Sequence, residues 1–322
     1  MSLLDKKDWQ ILEILCENAR FSHNQIAKKV KLSKNAVSYR INRLQKKKII
    51  SGFFSIIDQS LFGISFFEVL IKINASNKDS EEFIEYLKQN PNVLVVDKLS
   101  GEWSFVIEIG CKSQNKFYSI LSEINNKFSD IIETYEVHPI LSSYKVEQLP
   151  VELVKPKEIR PFKGVQGEVK VDEMDKKLLN ILDKDSTLPL HEIADKLGVT
   201  YETVAARIKK LKEKGIILRF TAKIFLPVLG YEIYLLIIDF RNLSKEAEAK
   251  LREYLINNKN IRYAFMSAAK PELFIYFASK NNDELDNFMN SLKENFPEEI
   301  VNQKYLITRF QHKYDLFPEG LI

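Results

Sequence analysis

Cysteine, histidine, glycine and proline are all scarce in this chain. Two cysteines among 322 residues cannot make a disulfide framework or, by themselves, a zinc site. Cys16 falls in an apolar helical pattern and Cys111 at a strand end, so both read as core residues. His23, His138, His191 and His312 are scattered without metal-ligand spacing and are expected as surface or satisfied polar groups. Neither a metal nor a cofactor is expected. With ten glycines and ten prolines the chain is not fibrous or low-complexity. No apolar run approaches the roughly 18 residues that cross a bilayer. The opening "MSLLDKKDWQ" lacks the apolar segment of a signal peptide. A cytoplasmic protein with no membrane partner is therefore expected. Phosphate-cradling glycine loops and nucleophile elbows are missing too, which argues against an enzyme.

What is present is a duplication. An offset of 167 residues superposes Asp5 on Asp172, Asp8 on Asp175, Arg40-Ile41 on Arg207-Ile208, Leu44 on Leu211 and Gly63 on Gly230 without a gap. Each copy opens with three helical periods. Trp9, Leu12, Ile14 and Leu15 form the first apolar stripe; Ser22 caps a second helix burying Ile26, Ala27 and Val30; Ser33 caps a third with Ala36, Val37, Ile41 and Leu44 inward. The short "KLS" junction between the second and third forces a sharp crossing, the helix-turn-helix layout in which the third helix enters a major groove. "IISGFFSI" then reads as a strand able to act as a wing.

Downstream the periods alternate as βαββαβ in each copy, the ferredoxin-like order. The fold class is α+β, with two tandem units, each a winged helix-turn-helix followed by a ferredoxin-like domain. The expected domains are 1–53, 54–149, 171–220 and 221–322, with a Pro/Gly-interrupted linker at 150–170. A linker of that length lets the second βαββαβ domain fold back on the first as an intrachain pseudo-dimer; homodimerisation through the same sheets is the rival.

Charge separates the two copies. Residues 1–52 carry 12 Lys/Arg against 4 Asp/Glu, and residues 171–219 carry 10 against 9, giving +8 and +1. Since double-stranded DNA releases condensed counterions when a basic surface docks, the first headpiece is the expected binder. After the cap Ser33, residues Lys34, Asn35, Ser38, Tyr39 and Asn42 are placed to reach base edges, the two asparagines being suited to adenine. Arg40, Arg43, Lys46, Lys47 and Lys48 are assigned to phosphates. Arg40 and Arg207 occupy equivalent places, so pairing with an acid of the first helix stands as their alternative. In the second copy Tyr201, Glu202 and Thr203 open the helix, Glu202 opposes phosphate, and Arg207, Lys209, Lys210 and Lys212 remain for supporting backbone contacts.

"LDKKDWQILEIL", "IAKKVKLSKNAVSYRINRLQKKKII" and the βαββαβ order that follows resemble the Lrp/AsnC family of prokaryotic transcription regulators, once per half. The resemblance implies DNA binding, dimerisation through the βαββαβ domain, and in some members an amino acid held where those domains meet. The chain departs from the pattern in being doubled, in having Lys48 where Gly215 keeps the family glycine, and in its turns. The family's Gly-x-x-Asp turn is "GEWS" at Gly101 and "AKPE" at Ala269. These losses argue against an effector, for which Ser100, Gly101, Glu102 and Trp103 are the candidates. A related lineage, the siroheme decarboxylases, carries a His-Asn-Tyr-x-Arg-x-His stretch in the hairpin of this domain, and "VLVVDKLSGEWSF" lacks it. A third reading is a ligand- or protein-binding module, supported by Trp103 in an exposed hairpin turn and by the aromatic last strands. The competing account pairs those strands in an interface between domains.

Overall fold

A computed structural model describes residues 4–149, 169–318 and 320–321. Most of the expected linker, 150–168, lies outside the described residues. Among them no helix is long and apolar enough to cross a membrane. The chain forms two compact units, and each draws on both halves of the sequence.

The first unit contains both helix-turn-helix segments. In the first copy these are α1 (Lys6–Glu17), α2 (His23–Val30) and α3 (Lys34–Lys46), followed by β1 (Ile50–Ile57). Asp5, Ser22 and Ser33 each accept a hydrogen bond from the backbone three residues on, a cap worth about 1 kcal/mol. Ile11, Leu12, Leu15 and Cys16 form the buried stripe of α1, whereas Trp9, Ile14 and, on α3, Ala36 are only half-buried. The stripe is rotated because α1 must also bury the carboxylate of Asp8.

The β1 strand is not a free wing. It pairs antiparallel with its own counterpart, β6 (Ile217–Ile224), with Phe54 opposite Thr221 and Ser55 opposite Phe220. An unpaired strand leaves its backbone donors and acceptors open, and pairing the two copies closes the facing edge of each. The junction is pseudo-symmetric: Ala19 N–H donates to Phe220 O (3.0 Å) and Ser186 N–H to Phe53 O (3.1 Å), partners related by the 167-residue offset. Thr221 Oγ1 adds a bond to Cys16 O, and Ser55 Oγ one to Leu182 O. Arg20 donates to the Ser186 and Leu188 carbonyls while stacking over Phe220.

The second unit holds both βαββαβ segments. The first copy runs β2 (Ser65–Ile73), α4 (Asn77–Gln89), β3 (Val93–Ser100), β4 (Phe105–Cys111), α5 (Gln114–Lys127) and β5 (Ile132–Val146). After β6, which is preceded by α6 (Glu173–Lys184), α7 (Leu190–Leu197) and α8 (Tyr201–Glu213), the second copy follows. It comprises β7 (Glu232–Phe240), α9 (Lys245–Asn257), β8 (Ile261–Ser267), β9 (Leu273–Ser279), α10 (Asn282–Asn295) and β10 (Ile300–Tyr314). The eight strands close into a barrel ordered β10-β3-β4-β2-β5-β8-β9-β7. Both 15-residue strands serve two sheets: the first part of each pairs inside its own copy and the last part pairs with the other copy. Alternation sends Phe67, Val69 and Ile71 out to the helices, leaving Glu68 on the opposite face.

That inner face is polar. Glu68 lies opposite Glu108 on β4 and His138 on β5, and all three are buried together with Asp97. Tyr276 on β9, a strand not adjacent to β2, donates to Glu68 Oε1 at 2.6 Å; this bond crosses the barrel from one copy to the other. Burial raises the Glu108 carboxyl to about 7 and the neighbouring Asp97 adds to the shift. Glu68 is raised further, by burial first and then by Glu108. His138 is neither a surface nor a satisfied residue: its Nδ1 makes no hydrogen bond among the described residues, its Nε2 is 3.5 Å from Glu136, and its ring lies 4.8 Å from Phe274. Desolvation lowers its pKa.

Candidate nucleic-acid interface

Helix α3 is fixed by its apolar stripe, Val37, Ile41 and Leu44, all buried. The rest of its circumference then has a defined fate. Lys34, Asn35, Tyr39, Asn42, Lys46 and Lys47 are exposed, with Tyr39 at 67%. Ser33, the cap, and Lys48, just beyond the helix, are exposed as well, and Ser38 is half-buried. Lys34, Asn42 and Gln45 turn toward the α1–α2 corner and line a cleft of about 500 Å³ with Arg20, Phe53 and Thr187. Asn35, Ser38 and Tyr39 are not among its lining residues.

Two of the expected phosphate ligands are already engaged. Arg40 Nη1 contacts Asp5 and Asp8, each at 2.7 Å, and Arg43 Nη2 reaches the other oxygen of Asp8. Asp8 is 1% exposed, and a buried carboxylate is tolerated only when paired and hydrogen-bonded. The Arg40 guanidinium beside Asp5 holds that carboxyl below its ordinary value. In the second copy Arg207 repeats the arrangement with Asp172 and Asp175. The invariant geometry of these arginines is that of a strut between the first and third helices.

Helix α8 presents a different surface. Tyr201 and Glu202 are exposed at its start and Thr203 is half-buried. Lys209 faces Glu213 at 3.9 Å, and the Lys212 ammonium sits 5.4 Å from the centroid of the Phe220 ring. Lys210 is exposed on the same helix. Where α8 has Lys212 over Phe220, α3 has Gln45 near Phe53.

The candidate effector turn is filled by the other copy's strand. Ser100 pairs with Ile307 on β10, and Glu102 binds Lys304 at 2.9 Å. Gly101 has φ +134, and a Cβ there would lie 2.8 Å from Leu306 Cδ2. Trp103 is buried rather than exposed in the turn; its Nε1 makes no hydrogen bond among the described residues. The corresponding turn of the second copy leans on β5 in the same way, through Ala268 N–H to Pro139 O. The pairing of both last strands across the copies is the interface account weighed from the sequence; the individual braces, between residues about 130 to 210 positions apart, leave no local signal. Sequence reasoning also missed Asp8 and Glu68 as buried charges, although Asp8 lies one helical turn before Ile11 and Leu12 and Glu68 interrupts the apolar run of residues 66–71.

Comparison with known proteins agrees with this geometry. Residues 4–51 match a winged helix-turn-helix DNA-binding model, 171–212 an AsnC-type helix-turn-helix domain, and 68–150 an Lrp/AsnC ligand binding domain. The HTH-type transcriptional regulator FL11 of Pyrococcus furiosus is 32% identical over 120 residues, covering 37% of this chain and 78% of that protein. LrpA of Pyrococcus abyssi is 35% identical over 124 residues, 38% of this chain and 84% of its own. Little more than a third of this chain thus spans most of each relative, as the duplication requires. The solved siroheme decarboxylase NirDL shares the fold over 98% of this chain and 95% of its own, with a TM-score of 0.65 at 13% identity. With one copy of its sequence matching most of a regulator, and both copies built on that regulator's domain order, the chain belongs to the Lrp/AsnC family.

Proposed function

We propose that this transcription regulator binds duplex DNA mainly through its first helix-turn-helix, with the second in a supporting role. The observation that carries the reading is the different charge at equivalent positions of the two third helices. On α3, Lys34 and Lys46 are exposed beside Asn35, Ser38 and Tyr39, where α8 has Tyr201 and Glu213; on α8, the exposed Lys209 faces Glu213 and Lys212 lies over Phe220. Phosphate contacts position a protein and base-edge contacts specify its site. Lys34, placed toward base edges from sequence alone, joins Lys46, Lys47 and Lys48 in supplying the first kind, and Asn35, Ser38, Tyr39 and Asn42 supply the second. Arg40 and Arg207 are assigned to architecture, and Arg43 divides its guanidinium between Asp8 and solvent.

In this reading the barrel makes one chain the equivalent of a dimer, and an amino-acid effector has little room at Gly101. Catalysis is not part of it: the hairpin carries "SGEW" and the described histidines do not converge. The test is a salt series of binding to random duplex DNA with the full chain. A regulator gives a steep linear fall of log affinity with log salt, and a flat response rejects the proposal.

A further inference from the structure

Two lysines in the first headpiece stand in a backbone conformation that lysine rarely adopts. Lys31, the C-cap of α2, has φ 55, and Lys48, two residues beyond α3, has φ 56; among the described residues these are the two non-glycine positions with positive φ. The 167-residue offset places Gly198 and Gly215 at the same two points of the second headpiece, with φ 65 and 72. The backbone around them is the same in both copies. Leu32 N–H bonds Ala27 O at 3.0 Å as Val199 N–H bonds Ala194 O at 3.1 Å, and Ile49 and Ile216 close onto Leu44 and Leu211 at 2.9 Å.

The fold thus asks for a left-handed residue at each point, which glycine supplies without the crowding of Cβ against the carbonyl. Local structure does not call for a side chain there: a Cβ at Gly198 or Gly215 meets nothing within 4 Å. Both lysines are exposed. They bracket the turn and the far end of the helix-turn-helix, in the headpiece whose balance is +8.

Resting on the DNA-binding reading above, which already places Lys48 at phosphate, we infer that Lys31 is a further phosphate-contacting residue of the first headpiece, and that both lysines are held in strained backbone for the reach of their ammonium groups to duplex DNA. Lys31 extends the contact surface from α3 back to the end of α2. A structural alternative exists, since a cation at a helix C-terminus interacts favourably with the helix dipole. Stability and binding separate the two.

The experiment compares full-length wild type with Lys31→Gly, Lys48→Gly and Lys31→Asn, the last neutral yet tolerant of left-handed backbone, and with Lys116→Gln as an exposed charge control in the other unit. Melting temperature and affinity for random duplex DNA across a salt series are read on each. The inference expects the glycine variants to melt no lower than wild type and up to about 4 °C higher. Each loses at least about threefold in affinity at low salt, with a slope flatter by about 0.9. Lys31→Asn shows the same binding loss and Lys116→Gln none. Glycine variants that melt lower, or that bind within the range of Lys116→Gln, overturn it. A wild type that does not bind duplex DNA overturns the reading beneath it instead.

Discussion

Asp8 shows how one buried charge organises a headpiece. Its carboxylate accepts from Arg40, Arg43 and the backbone of Asp5, so removing Arg40 leaves a buried acceptor partly unsatisfied. Arg40→Ala is expected to cost about 1–3 kcal/mol, measured by denaturant unfolding followed through helical circular dichroism, and Arg207→Ala a similar amount. The equivalence of Arg40 and Arg207 was legible in the sequence; their strut role was one of two readings until the acid was located. Inside the barrel the carboxyls of Glu68 and Glu108 act with opposite sign to an ordinary surface acid. Their folded pKa values are raised, Glu108 from 4.5 to about 7, so the folded state holds protons that the unfolded chain has released. The Glu108 contribution to stability is complete below about pH 4.5 and declines as pH rises toward 7, by about 1.4 kcal/mol per unit, and that of Glu68 declines in the same direction as pH rises. Facing them are Asp97, Tyr263, Tyr276 and His138, with Glu136, Asp239 and Lys304 around the histidine. Unfolding at pH 5 and pH 8 checks this: wild type loses more stability on going to pH 8 than a Glu68→Gln/Glu108→Gln variant does.

At the scale of elements, periodicity was enough to place the helices and strands of both copies, because the helices carry one-sided apolar patterns and, except for α7, a side-chain cap. Ser22 and Ser33 fulfil the capping expectation, and Thr200 takes the place of Ser33 in the second copy. The strand after α3 was legible as a strand but not as a partner of its own repeat, since pairing between residues 50–57 and 217–224 leaves no local signal. That pairing matters for recognition. With β1 and β6 hydrogen-bonded and Arg20 bridging to Ser186 and Leu188, α3 and α8 are held at fixed separation. Under the proposed reading, two half-sites then keep one phase on the duplex. Inserting about half a helical turn, roughly 5 base pairs, between selected half-sites is expected to reduce affinity to that of the first half-site alone. Restoring a full turn is not expected to recover it, because the β1–β6 pairing and the Arg20 bridge tie the headpieces together. Gel-shift titration of spacer variants measures this.

For the whole molecule, the duplication turns a symmetric arrangement into one that can be asymmetric. The barrel needs two βαββαβ copies, and a single chain supplies both; scattering and sedimentation should therefore show a closed barrel already present in one chain, with no dissociation on dilution. Freed from identity, the headpieces diverge at nearly every exposed position of the third helix, and their balances of +8 and +1 follow. The measurement that tests this most directly is a comparison of two triple variants, Lys34→Gln/Lys46→Gln/Lys47→Gln and Lys209→Gln/Lys210→Gln/Lys212→Gln, each titrated against duplex DNA over a salt series. Unequal headpieces predict a large loss of affinity and a slope flatter by up to about 0.9 per lost contact for the first set, with a clearly smaller change for the second. Equal losses from the two sets would contradict it.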